Sequence, residues 1–74
     1  MNIIIKLFAT LRDGRGKIIE KQCEEGTKIE DIINDFKIDK KEIAILLKNG
    51  INSETDSVLN DGDILSIFPP VGGG

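Results

Sequence analysis

The chain has 74 residues, a formal net charge of −3, one Cys and no His. That length holds one small domain and no second core, while the lone Cys excludes an internal disulfide framework and, with no His, speaks against a zinc site. The mild acidity speaks against nucleic acid, no apolar run approaches a membrane span, and the N-terminus lacks a signal-peptide pattern, so a cytoplasmic protein is expected.

The first element, over residues 3–9, is rich in β-branched and apolar side chains and reads as a strand. Ile3, Ile5 and Leu7 share one face of it, and Ile4, Lys6 and Phe8 the other. Asp13-Gly14-Arg15-Gly16 marks a turn, and residues 17–23 return as a second strand to make a hairpin. Thr27, with Glu30 three residues on, has the spacing of a capping box that opens a helix. Ile29, Ile32, Ile33 and Phe36 follow at helical spacing and form one apolar face to bury against the hairpin.

Residues 37–41 are a polar connection around Ile38. Residues 43–48 form a continuous apolar run, as expected of a central strand. Asn49-Gly50 is the strongest short turn signal in the chain, and a brief fourth strand is expected at residues 51–53. Val58 and Leu59 read as core anchors before the turn at Asp61-Gly62-Asp63. Residues 64–68 are the last strand. The order ββαβ(β)β, with one amphipathic helix able to cover one face of a small sheet, predicts an α+β fold of the β-grasp (ubiquitin-like) kind. The expected sheet is mixed, with four to five strands, and its first and last strands lie parallel and adjacent. A ferredoxin-like split would need a second helix, for which residues 39–42 are too short.

The chain closes Phe68-Pro69-Pro70-Val71-Gly72-Gly73-Gly74. Each proline fixes φ and lacks a backbone donor, which stiffens the exit from the last strand. The glycines carry no side chain to crowd whatever approaches them. A bare Gly-Gly carboxylate on a semi-rigid stalk suits insertion into a narrow enzyme channel. Six residues from Pro69 span at most about 20 Å when extended. The division is therefore a domain over residues 1–68 and a flexible tail over 69–74.

Leu7-Phe8-Ala9-Thr10-Leu11-Arg12, the Asn49-Gly50 turn, Asp61-Gly62-Asp63 and the Phe68–Gly74 ending together resemble the MoaD/ThiS family of sulfur carriers. The likeness covers essentially the whole chain. The Pro-Pro pair is closer to MoaD, the small subunit of molybdopterin synthase. The short segment between helix and third strand is closer to ThiS, the carrier of the thiazole pathway.

The resemblance implies a non-catalytic cosubstrate, not an enzyme. A carboxylate is a poor acyl electrophile, so a ubiquitin-activating-type enzyme (MoeB/ThiF-like) would adenylate Gly74 with ATP. A persulfide from a sulfurtransferase or cysteine desulfurase would then displace AMP and leave a thiocarboxylate. In the MoaD case the tail enters a MoaE-like large subunit and gives its sulfur to a pterin precursor, in the synthesis of molybdenum or tungsten cofactor. This chain itself would bind no cofactor and no metal. Gly74 is the attachment point, and Gly73 shares with it the least tolerance of a side chain.

The resemblance also places partner contacts at Phe8, Arg12, Ile51 and Phe68, continuing along Pro69, Pro70, Val71 and Gly72. Arg12 would stand at the rim, opposite a partner carboxylate. Other pathways remain open: thiamin, sulfur amino acid or tRNA thiolation. So does a protein modifier joined to lysines through Gly74, or a plain interaction module. Cys23 reads as a small apolar residue with an inert thiol. Lys40-Lys41 and Glu24-Glu25 read as solvated turn charges, and Gly14-Arg15-Gly16 lacks the Gly-Lys-Ser/Thr ending of a phosphate loop.

Overall fold

The computed structural model describes residues 1–71. Its strands are β1 (Asn2–Leu7), β2 (Ile18–Gln22), β3 (Ile45–Lys48), β4 (Ile51–Asn52) and β5 (Ile64–Phe68), with one α-helix, α1 (Ile29–Asp35). Short 3₁₀ turns at Ala9–Arg12 and Lys40–Glu42 join them. The five strands form one mixed sheet in the order β2-β1-β5-β3-β4. β1 pairs antiparallel with β2 and parallel with β5, while β5 pairs antiparallel with β3. This is the expected β-grasp arrangement, and the last strand stands at the centre of the sheet.

Period-2 alternation sets the layers. Ile3, Ile5 and Leu7 of β1 and Leu65 and Ile67 of β5 are buried on one face. Leu46 of β3 joins them through its register with Ile67. Ile29, Ile32 and Ile33 of α1 cover that face, with Leu11, Ile38 and Leu59 closing the ends. At seven residues α1 is too short to stand alone, so its helicity rests on this packing. Phe36, expected on the same face, is half-buried at the margin of the core. Val58, expected as an anchor beside Leu59, is exposed.

The helix start differs from the expected Thr27–Glu30 box. Thr27 Oγ1 donates back to the Glu24 carbonyl at 2.7 Å, and Lys28 is the residue that caps α1. An ammonium has no lone pair to offer the first amides. Ile29 N and Glu30 N donate instead to the carbonyls of Ser57 and Thr55, at 3.0 and 2.8 Å. Asp31 supplies the reciprocal half of a box by accepting from Lys28 N at 2.9 Å. Tertiary contact with the 55–57 loop thus does the work of the cap. β3 lies inside the sheet, between β5 and β4, as expected of a central strand. Its apolar run splits between the two faces, with Leu46 inside and Ile45 exposed.

Candidate functional site

β1 and β5 run parallel with Leu7 opposite Ile67. One residue further along each strand, the chain places Phe8 and Phe68 on the face away from α1. Their rings stack with centroids 4.1 Å apart and planes 11° from parallel. Both are half-buried and neither belongs to the core. At Ala9 the backbone turns to φ 52°, a left-handed value that ends β1 and starts the 3₁₀ turn. That turn brings Arg12 back over the strand end. Arg12 Nε donates to the Leu7 carbonyl at 2.8 Å, and its guanidinium carbon lies 5.5 Å from the Phe8 ring centre.

Ile45 is the register partner of Phe68 across β3 and β5, so it stands on the same open face, 45% exposed. It was missed in the sequence because residues 43–48 read as one buried run; the signal was its two-residue step from Leu47. Beyond Phe68, Pro69 is half-buried and Pro70 exposed, and Val71 is 95% exposed. The tail therefore leaves from the end of the central strand, beside the aromatic pair. Gly72, Gly73 and Gly74 lie outside the described residues.

Ile51 is not brought into this cluster. It pairs with Lys48, which pairs with Leu65, and cross-strand partners share a face. Ile51 is thus in register with the α1 side of the sheet, at the far edge and 70% exposed. Cys23 is also remote, since its backbone meets Met1 at the opposite end of β1 from Phe8. It is half-buried and packs against the core. Among the described residues no group of His, Cys, Asp or Glu is arranged to hold a metal. No helix among them is long and apolar enough to cross a membrane.

The entry to β5 is pinned by a polar knot. Asp63, only 8% exposed, accepts from Asn49 Nδ2 and from Asn60 N, each at 2.8 Å. Asn49 Oδ1 in turn accepts from Ile64 N at 2.9 Å. Asn49 and Gly50 both have positive φ, 53° and 80°, as a type I′ hairpin turn demands. One side chain thereby sets the β3–β4 turn and fixes the start of the strand that carries the tail.

The arrangement offers an aromatic pair, an adjacent cation and an outgoing tail on an otherwise open sheet face. It is suited to docking and presenting a terminus. Comparison with known proteins agrees with this geometry. Among solved structures, a protein from Pyrococcus furiosus provisionally named molybdopterin converting factor, subunit 1, superposes with a TM-score of 0.77 at 27% identity, over 96% of this chain and 99% of its own. SAMP1 from Haloferax volcanii gives 0.80 at 20% identity, over 100% of both chains. A chain from the complex of subunits 1 and 2 of the Helicobacter pylori molybdopterin-converting factor gives 0.66 at 18% identity, again over 100% of both. No curated protein sequence matches. The ThiS family model matches residues 5–74, from within β1 to the last glycine, and the chain belongs to the ThiS family, whose members are small ubiquitin-like sulfur carriers.

Proposed function

We propose that this protein carries sulfur as a thiocarboxylate on Gly74 and donates it in the synthesis of molybdopterin. The single observation that carries the reading is the tail exit. The chain leaves the central strand β5 through Pro69-Pro70, beside a half-buried aromatic pair, and its sequence ends on Gly-Gly, in a chain matched by the ThiS family along residues 5–74. On this reading an adenylating enzyme of the MoeB/ThiF type consumes ATP to activate Gly74. A sulfurtransferase or cysteine desulfurase then supplies the sulfur, and a MoaE-like large subunit takes the loaded tail. Phe8, Phe68 and Arg12 meet the partner's surface, and Pro69, Pro70, Val71 and Gly72 line its channel. The Pyrococcus name supports the molybdopterin branch. The Helicobacter complex is the precedent for a two-subunit assembly.

The test is reconstitution. The loaded chain, mixed with the large subunit from the same genome, is expected to convert the pterin precursor to molybdopterin. Failure with a thiocarboxylate-bearing chain, alongside a large subunit active on another carrier, would assign the sulfur to a different acceptor. A second reading is favoured by one specific neighbour. The Haloferax protein is a small archaeal modifier protein, and a tail of this form would serve isopeptide bonds to lysines equally well. Lysine-linked conjugates in cell extract would support that use.

A further inference from the structure

We infer that Asn49 is a site of deamidation that the fold holds closed, and that its product unpins the entry to β5. The inference is independent of the carrier reading, because it uses no property of the tail. Asn49 is the one asparagine of the chain followed by glycine. In such a pair the Gly50 amide nitrogen can attack Asn49 Cγ, since no side chain on residue 50 stands in the way. As the new N–Cγ bond forms, the Gly50 nitrogen gives up its proton to water. The Cγ–Nδ2 bond breaks, and Nδ2 departs as ammonia. Water then opens the resulting five-membered imide at one of its two carbonyls. Opening at Cγ leaves aspartate, and opening at the main-chain carbonyl leaves isoaspartate, with the chain rerouted through Cβ. One water is consumed and one ammonia released, and nothing is oxidised or reduced.

The tip of the β3–β4 hairpin supplies everything this reaction needs except the geometry. Asn49 and Gly50 are both exposed, and the position a Cβ would take at Gly50 is open space. The Gly50 N–H makes no hydrogen bond among the described residues, so the attacking nitrogen is free. Ring closure, however, needs that nitrogen to swing to the Cβ side of Asn49. At φ 53° Asn49 has left-handed backbone, whose ψ of about +47° sets the next nitrogen opposite Cβ. Three hydrogen bonds to the entry of β5 keep it there. Asn49 N donates to the Ile64 carbonyl at 2.8 Å, Nδ2 donates to Asp63 Oδ1 at 2.8 Å, and Oδ1 accepts from Ile64 N at 2.9 Å. The reaction therefore waits until the turn parts from β5, and its rate follows that local opening. The product cannot close as before. A carboxylate at residue 49 has no donor for the buried Asp63, and sets two like charges within hydrogen-bond distance. Isoaspartate also adds a backbone atom to a two-residue turn, which disturbs the register of Lys48 with Ile51. A molecule that has opened and reacted is thus marked covalently at the start of its central strand.

The test incubates the full-length chain at mildly alkaline pH, folded and in denaturing guanidinium chloride, and follows each asparagine by peptide mass. Reaction appears as the mass of exchanging an amide NH₂ for OH, and isoaspartate is read by enzymatic methylation of its carboxylate. The expected result is reaction at Asn49 in the unfolded chain and a rate at least about tenfold lower in the folded one, because opening must come first. Denaturant below the unfolding transition raises the folded-state rate, in step with the open population. Asn49→Asp, which installs one product directly, lowers the denaturation midpoint relative to the unchanged chain. Equal rates at Asn49 in the folded and unfolded chains would overturn the gating. Absence of reaction at Asn49 in the unfolded chain would overturn the site. An Asn49→Asp chain as stable as the unchanged one would overturn the consequence for β5.

Discussion

Phe8 and Phe68 stack face to face at 4.1 Å, tying the end of the first strand to the point where the chain leaves the last. Each ring is half-buried, so the pair serves both the fold and the surface. A double-mutant cycle on Phe8→Ala and Phe68→Ala, read by urea unfolding, is expected to give a coupling of about 0.5–1.5 kcal/mol. Either single change should weaken association with the large subunit far more, by roughly 2 kcal/mol or about 30-fold. Isothermal titration checks the second figure. A loss of stability with unchanged affinity in both single variants would show that the rings act only within the monomer.

Asn49 is the residue whose loss should damage the tail's foundation most. Asn49→Ala removes the donor to buried Asp63 and the acceptor for Ile64 N, and puts a Cβ-bearing residue without a polar side chain at φ 53°. An orphaned buried acceptor costs about 1–3 kcal/mol, so a loss near 2–3 kcal/mol is expected in chemical denaturation. Asn49→Gly should lose less, because glycine accepts the left-handed turn.

Lys37 ends α1 in a Schellman motif. Its N–H donates to the Asn34 carbonyl at 3.1 Å and that of Ile38 to the Ile33 carbonyl at 3.0 Å. At φ 57° this is a position where glycine is preferred. Lys37→Gly is expected to raise the urea midpoint, with a gain of about 0.5–1 kcal/mol. A fall in the midpoint would show that the lysine side chain makes a contribution larger than the strain.

Arg15 clasps the same helix end. Its Nε donates to the Phe36 carbonyl at 3.2 Å and its Nη1 to the Leu11 carbonyl at 3.1 Å, joining α1 to the 3₁₀ turn that carries Arg12. Arg15→Ala should cost about 1–2 kcal/mol. Lys at this position should restore only part, because an ammonium cannot span both carbonyls as the planar fork does. Thermal melts of the two variants check this.

The pH response of the Lys21–Asp35 pair has a definite sign. Its hydrogen bond to Asp35 is the main cause that holds the Lys21 ammonium above its ordinary pKa of 10.5. A pKa raised on folding adds stability while the lysine is charged in both states, and that stability is lost as pH climbs through the folded value. The expected loss therefore lies above about pH 10.5, and it is small because the pair is substantially exposed. Lys21→Met should abolish this alkaline component in denaturation curves taken across that range.

The sheet was legible because alternation is a local signal. Ile3, Ile5 and Leu7 declared an inner face, and Asn49-Gly50 a hairpin, without reference to anything distant. The helix start was not legible, because the groups satisfying Ile29 N and Glu30 N come from Thr55 and Ser57, more than twenty residues away. Phe8, Phe68 and Arg12 were found from the resemblance, and the structure brings them together. Ile51 does not join them, since its face depends on the register of a two-residue strand. Ile45 completes the surface through its pairing with Phe68, which no single segment announces.

On the proposed carrier reading Gly73 and Gly74 hold the chemistry, and the channel idea makes them intolerant of side chains. Gly73→Val is expected to abolish adenylation, measured as ATP–pyrophosphate exchange, while leaving the melting profile intact. The most direct measurement of the central claim is the intact mass of the protein purified from cells that also express its adenylating enzyme and sulfurtransferase. The account predicts a gain equal to exchanging one oxygen for one sulfur, located at Gly74 and reversed on hydrolysis. An unmodified terminus, with both enzymes shown to be active on another carrier, would contradict it.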